Sequence, residues 1–358
     1  MKTPLRPACP GVPARHLRLR DFLSRSLASL RRLAAPPLLL VLLSGSIHAE
    51  PENPHTDWFR AARYGVFMHF LPGDERQFST VNDFDVDFVA EQLHQARAGY
   101  LVITLGQNSG WFISPNAAYD RQTGYAAGER CARRDLPADL FAALEPRGIK
   151  LMLYLPCQVP NRDPRAQRAF GLPEGSADQP LDLEFAGKWA AVIHEWSARY
   201  GPKVAGWWFD GGYAHIDFNE AIAATYAAAV KRGNPEAIVT FNPGVRLIRY
   251  TVAEDYTAGE LNEPLEVLPR SRRVEGSQWH ALTYLGSAWG RRDTRFATSQ
   301  WVDWARAVVA GEGVLTLDAG PNWDGKEGPI GAISPRQMQQ LRAIGVAVSE
   351  APAAKRQP

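Results

Sequence analysis

Three cysteines in 358 residues, Cys9, Cys131 and Cys157, are all the thiols this chain has. So few exclude a disulfide framework, and no Cys-x-x-Cys or His-Glu-x-x-His spacing offers a metal-ligand pattern. Long apolar runs are missing as well. Leu33 to Leu43, eleven residues broken by Pro36-Pro37, is too short to cross a bilayer as a permanent helix. No glycine-rich phosphate turn follows the first apolar strand; Leu71-Pro72-Gly73-Asp74-Glu75 stands there instead, which argues against a dinucleotide-binding sheet. Charge of one sign is not in excess either, at 40 basic against 38 acidic residues.

That balance hides an asymmetry. Residues 1–49 carry eight basic side chains, from Lys2 to Arg32, against Asp21 alone, and end in Ser44-Gly45-Ser46-Ile47-His48-Ala49 after the short apolar run. A basic arm, an apolar core and small residues describe a secretory signal, with cleavage expected after Ala49 and a secreted or periplasmic destination. Without it, 32 basic face 37 acidic residues. Nothing in residues 50–358 then offers a footprint for nucleic acid, and none for a membrane once the leader is gone. Cys131 and Cys157 could pair in an oxidising compartment. No linker, composition break or short repeat divides 50–358, which reads as one catalytic domain.

Along that domain, apolar runs alternate with helical spacing. Strands are expected at Tyr64–Phe70, Tyr100–Thr104, Ile149–Leu155, Val204–Phe209, Ala237–Phe241, Thr251–Tyr256, Gln278–Leu285 and Gly313–Leu317. Helical segments fall between most of them, such as Gly187–Tyr200, Phe218–Arg232 and Ser299–Ala310. Eight strand–helix repeats over about 300 residues fit the length and rhythm of an α/β fold of the (β/α)8 barrel type.

Gly206-Trp207-Trp208-Phe209-Asp210-Gly211-Gly212-Tyr213 is the most telling stretch. It reads as a buried strand running into a carboxylate where the chain turns, the end at which a parallel barrel presents catalytic side chains. A turn-capping Asp before Gly-Gly would look the same locally. The rest of the chain favours a site: His69, Gln107, Asn108, Asp210, Asn242, Glu254, Asp255, Glu260, His280 and Asp318 all fall at expected strand ends. Trp111, Trp208, Tyr213 and Trp289 lie near them, and all eleven tryptophans follow the leader. Aromatic faces beside hydrogen-bonding groups suit a sugar ring.

These residues also resemble a known family. Trp58-Phe59-Arg60 with Tyr64 to His69 resembles the opening strand of family 29 glycoside hydrolases, the α-L-fucosidases. Trp208-Phe209-Asp210-Gly211 is similar to their nucleophile motif, Gly286-Ser287-Ala288-Trp289-Gly290 to their Ser-Trp-Gly turn, and Gly311 to Gly325 to their last strand and Gly-Pro loop. The resemblance implies a retaining exo-glycosidase that releases a terminal sugar, fucose or a related deoxy sugar or hexose, from an oligosaccharide or glycoconjugate. It implies no cofactor and no metal. The β-sandwich that often follows the barrel in the family is not expected here. The family's usual His-His pair after strand 2 is replaced by Gln107-Asn108, and its Trp-Glu by Trp279-His280, whereas His69 is retained.

Asp210 is accordingly expected as nucleophile. For the acid/base, Glu260 is the first choice, then Glu254, with His280 as an imidazolium acid the third. His69, Gln107, Asn108, Trp111, Trp208, Tyr213, Glu254 and Trp289 are expected to bind the sugar, with a preference differing from fucose where the His pair would have acted. A catalytically inactive sugar-binding protein on the same barrel is the alternative. It requires a cleft without a carboxylate pair at bond-cleaving separation.

Overall fold

Stretches rich in Val, Ile, Leu and aromatics, buried on both faces, make parallel strands. The computed structural model describes residues 53–173, 175 and 179–351, so the expected leader lies outside the described residues. The strands are β1 (Tyr64–Met68), β2 (Tyr100–Thr104), β3 (Lys150–Pro156), β4 (Val204–Asp210) and β5 (Ile238–Phe241), then the short antiparallel pair β6 (Arg273–Val274) and β7 (Ser277–Gln278), and finally β8 (His280–Tyr284) and β9 (Val314–Asp318). Seven of them form one parallel sheet in the order β5-β4-β3-β2-β1-β9-β8. The sheet curls into a (β/α)8-like barrel, with long helices such as Leu183–Tyr200, Glu220–Gly233 and Thr298–Ala310 between strands and Pro335–Glu350 after β9.

Strand 7 of the sequence reading is β8, but strand 6 is not a strand. Thr251–Tyr256 forms no ladder; instead residues 255–261 lie irregularly between β5 and β8. Asp255 N–H donates to Val239 O (2.9 Å) on one side, and on the other Thr257 N–H donates to Gln278 O (3.0 Å) and Leu261 N–H to Leu282 O (2.9 Å). Gly259 explains how close this segment comes. Its φ is +61°, and a Cβ there would stand 1.9 Å from His280 O, so a side chain would hold the segment off the barrel.

The two-residue period of a strand sorts the side chains. Trp207 and Phe209 of β4 join the core between sheet and helices, with Leu153 of β3 and Val239 of β5. Trp208 faces the barrel interior, with Phe67, Val102, Met152 and Tyr154. Phe59, from the helix Asp57–Ala62, joins this interior and packs 4.9 Å from both Tyr100 and Tyr256. Cys131 and Cys157 are buried free thiols, not a disulfide. Burial pushes both thiols well above their ordinary range.

Candidate active site

The inward phase that carries Trp208 also carries Asp210, the last residue of β4. The same phase puts Tyr154 inward on β3 and Asp318 inward at the end of β9, while His69 and Asn242 follow β1 and β5 directly. Backbone bonds fix Asp210: its carbonyl accepts from Cys157 N–H at 2.7 Å, and Asn242 N–H reaches Phe209 O at 2.8 Å. Above it opens a cavity of about 590 Å³, lined among others by His69, Gln107, Trp208, Tyr213, Glu260 and Trp289.

Both Asp210 oxygens accept hydrogen bonds. Tyr154 donates its hydroxyl to Oδ2 at 2.5 Å, Gln107 adds Nε2 at 3.2 Å, and Asn242 Nδ2 reaches Oδ1 at 3.0 Å. Burial, followed by the Asp210 charge, pushes the Tyr154 hydroxyl well up, so it stays a donor. Gln107 also donates to that hydroxyl. The same Asn242 nitrogen donates to Glu260 Oε2 at 2.5 Å. Burial raises the Glu260 carboxyl above its ordinary range; the Asn242 bond opposes this, the Asp210 charge adds to it, and His69 opposes it.

His69 and Asp318 make a second pair. A carboxylate can only accept, so the 2.8 Å contact puts a proton on His69 Nδ1. Asp318, 1% exposed, also accepts from Gly290 N–H at 2.6 Å, tying the Trp289-Gly290 turn to His69. The Trp289 and His69 ring centroids lie 5.3 Å apart.

Four expected residues sit elsewhere. His280 opens β8, the end of the strand remote from the mouth, and is 1% exposed. Its Nδ1 faces Thr257 O at 2.8 Å, an acceptor, so Nδ1 carries the proton and Nε2 accepts from the Thr316 hydroxyl at 2.6 Å. Burial pushes its pKa down to about 4, and a neutral, satisfied imidazole cannot serve as an imidazolium acid. Glu254 is also buried and turned from the cavity. It accepts from the backbone N–H groups of Phe241 (2.9 Å), Tyr250 (2.6 Å) and Thr251 (3.3 Å). Burial raises it to about 7 against those bonds. Trp111 does not line the cavity; it packs 4.6 Å from Phe78 under the Arg130 guanidinium at 4.1 Å. Asn108 lines an adjoining lobe of about 110 Å³ rather than the main cavity.

Tyr154 was missed because a tyrosine inside Leu151-Met152-Leu153-Tyr154-Leu155 looks like core. Its signal was phase: it is level with Trp208 in the β3–β4 register. Asn242 and Asp318 stood at strand ends but carried no assigned role.

A parallel barrel with two carboxylates converging in an aromatic-walled cavity at the strand ends defines the class of glycoside hydrolases. The chain belongs to the α-L-fucosidase family, whose model matches residues 74–349. Solved structures of similar fold include α-L-fucosidase isoenzyme 1 from Paenibacillus thiaminolyticus (20% identity, TM-score 0.61, 85% of this chain and 78% of that one). Another is α-L-fucosidase AlfC from Lactobacillus casei in complex with its α-L-fucose product (18%, 0.59, 84% and 99%). A third is the endo-fucoidan hydrolase MfFcnA4 of glycoside hydrolase family 107 (15%, 0.63, 83% and 54%). The chain spans only 54% and 64% of the length of the two endo-fucoidan hydrolases it resembles. No curated protein matches the sequence.

Proposed function

We infer that this protein is a retaining exo-glycosidase of the α-L-fucosidase type, with Asp210 as nucleophile and Glu260 as acid/base. One observation carries the reading. Bonds of 3.0 and 2.5 Å meet at a single Asn242 nitrogen, so the Asp210 and Glu260 oxygens they reach can be no farther apart than those lengths end to end, 5.5 Å. Retaining enzymes hold their carboxyl groups about 5–5.5 Å apart, whereas inverting enzymes need about 6.5–9.5 Å to admit a water. The same pair weighs against an inactive sugar-binding protein.

In the first step Asp210 attacks the anomeric carbon and Glu260 gives its proton to the departing glycosidic oxygen. In the second, ionised Glu260 takes a proton from water, whose oxygen displaces Asp210 and releases the sugar. Burial of Glu260 supports the protonated start, and three donors on Asp210 leave it an acceptor throughout. Gln107 stands against the nucleophile in place of a charged side chain, which supports a terminal fucose-like sugar with altered hydroxyl recognition.

The product anomer followed by NMR tests this: retention is expected, and inversion would remove the covalent step. Asp210→Asn should cut turnover by on the order of 10³–10⁵-fold with the fold intact. Unchanged turnover would move the site elsewhere. Glu260→Ala should spare aryl glycosides whose leaving group needs no proton, and azide should rescue its second step.

A further inference from the structure

Three arginines follow the Trp289-Gly290 turn, and two are engaged within the protein. Arg292 donates to Ala332 O at 2.7 Å and pairs with Glu327 at 3.0 Å. Arg295 donates to Tyr284 O at 2.9 Å and to the Thr283 hydroxyl at 2.6 Å, and covers the Tyr284 ring at 3.8 Å. Arg291 differs. It is exposed and lines the cavity, and among the described residues its guanidinium has no hydrogen bond and no ion pair.

Its position is nevertheless fixed. Arg291 N–H donates to Ala288 O at 3.2 Å. The fully buried Gln337 donates Nε2 to the carbonyls of Arg291 (2.7 Å) and Asp293 (2.8 Å). Asp293, the acidic residue of this turn, accepts from Ser287 N–H at 2.9 Å, and the Arg291 charge also acts on its carboxyl without a direct ion pair.

Other unused donors line the same cavity. Gln77 Oε1 accepts from Gly73 N–H at 2.7 Å, and among the described residues its Nε2 has no acceptor. Among the described residues, the indole N–H groups of Trp289 and Trp323 have no acceptor either. The cavity therefore holds, besides Asp210 and Glu260, a set of unused donors that includes the positive charge of Arg291. A neutral sugar hydroxyl is donor and acceptor at once and needs no cation. A sulfate ester is permanently charged, offers three exposed oxygens and donates nothing. The guanidinium fork binds such an oxyanion through parallel N–H bonds, and the remaining N–H groups can reach a third oxygen.

Resting on the glycosidase reading above, we propose that the cavity takes a sugar chain bearing a sulfate ester, bound by Arg291 with Gln77 and the indole N–H groups beside it. Binding is read by calorimetry on Asp210→Asn protein, so that hydrolysis does not consume the probe. The probes are a sulfated fuco-oligosaccharide, the same oligosaccharide after chemical desulfation, and a counterpart carrying a uronic acid.

The sulfated probe is expected to bind at least tenfold tighter than the desulfated one, with the advantage shrinking as salt rises. Arg291→Gln in the Asp210→Asn background should remove most of the preference, and Arg291→Lys should keep part of it. Among the described residues the Arg291 side chain makes no hydrogen bond and no ion pair, so both variants should fold. Equal affinity for the sulfated and desulfated probes, a preference that survives Arg291→Gln, or tighter binding of the carboxylated probe would each overturn the proposal. Turnover of wild-type protein is scored separately: a protein that selects the sulfated probe and hydrolyses no glycoside would lose the hydrolase reading and keep this one.

Discussion

Asn242 bonds two carboxylates through one nitrogen, and the consequence of losing those bonds depends on the replacement. Asn242→Ala frees both acids, and misplacement on the ångström scale is worth about 10²-fold in rate. A kcat/KM loss of that order is expected, with a stability loss of about 1–3 kcal/mol because buried Asn242 also accepts from Gly244 N–H. Asn242→Asp adds a third negative charge beside the pair, and like charges favour the protonated form. If Glu260 is the acid as proposed, the alkaline limb of the kcat/KM profile should then move to higher pH; a profile that stays in place would show that Asn242 does not touch the acid. Glu254 behaves differently because both its oxygens accept from N–H groups. Glu254→Gln must aim an amide N–H at a backbone N–H, and chemical denaturation should register a loss of about 1–3 kcal/mol.

Among the elements, the segment 255–261 matters most, because it carries Glu260 to the mouth without the support of a full ladder. Gly259 allows its approach to β8. Gly259→Ala should destabilise by roughly 2 kcal/mol or more, through both the left-handed backbone and the clash with His280 O. Activity should fall with it, since Glu260 follows directly. Gly187, in the helix Leu183–Tyr200, is the control: a Cβ there meets nothing within 4 Å. Gly187→Ala should stabilise by about 0.5–1 kcal/mol, measured by the same unfolding curves. If both substitutions had the same sign, the close approach would not be what constrains Gly259.

For the molecule as a whole, two buried groups set opposing pH slopes. His280 falls from 6.5 to about 4 on folding, so its contribution is complete above pH 6.5 and is lost as pH falls through 4. Glu254 rises from 4.5 to about 7, so its contribution is complete below pH 4.5 and is lost as pH rises through 7. Stability should therefore change little between about pH 4.5 and 6.5, where the slopes oppose. His280→Gln removes one of them, and its unfolding free energy should decline steadily over that interval as pH rises. A variant that keeps the flat region would show that His280 does not titrate as its burial implies.

The sequence by itself determined the barrel rhythm, because alternating apolar runs and helical spacing are local signals that tertiary packing seldom overrides. It also singled out Asp210 and Glu260 as candidates, although a turn-capping Asp before Gly-Gly looks the same locally, and the structure brings both into one cavity. Tertiary structure decided the rest. Which strand ends share a rim depends on strand direction: His280 opens its strand and lies remote from the mouth, while Asp318 closes its own and reaches it. Trp111 and Glu254 were polar-aromatic candidates by position, and packing turned both away from the cavity. Tyr154 looked like core until the β3–β4 register set it beside Asp210. Tyr154 and Asp210 lie 56 positions apart along the chain, and His69 and Asp318 lie 249 apart. Local sequence holds no record of such a distance, because register and strand phase are fixed only when the sheet closes.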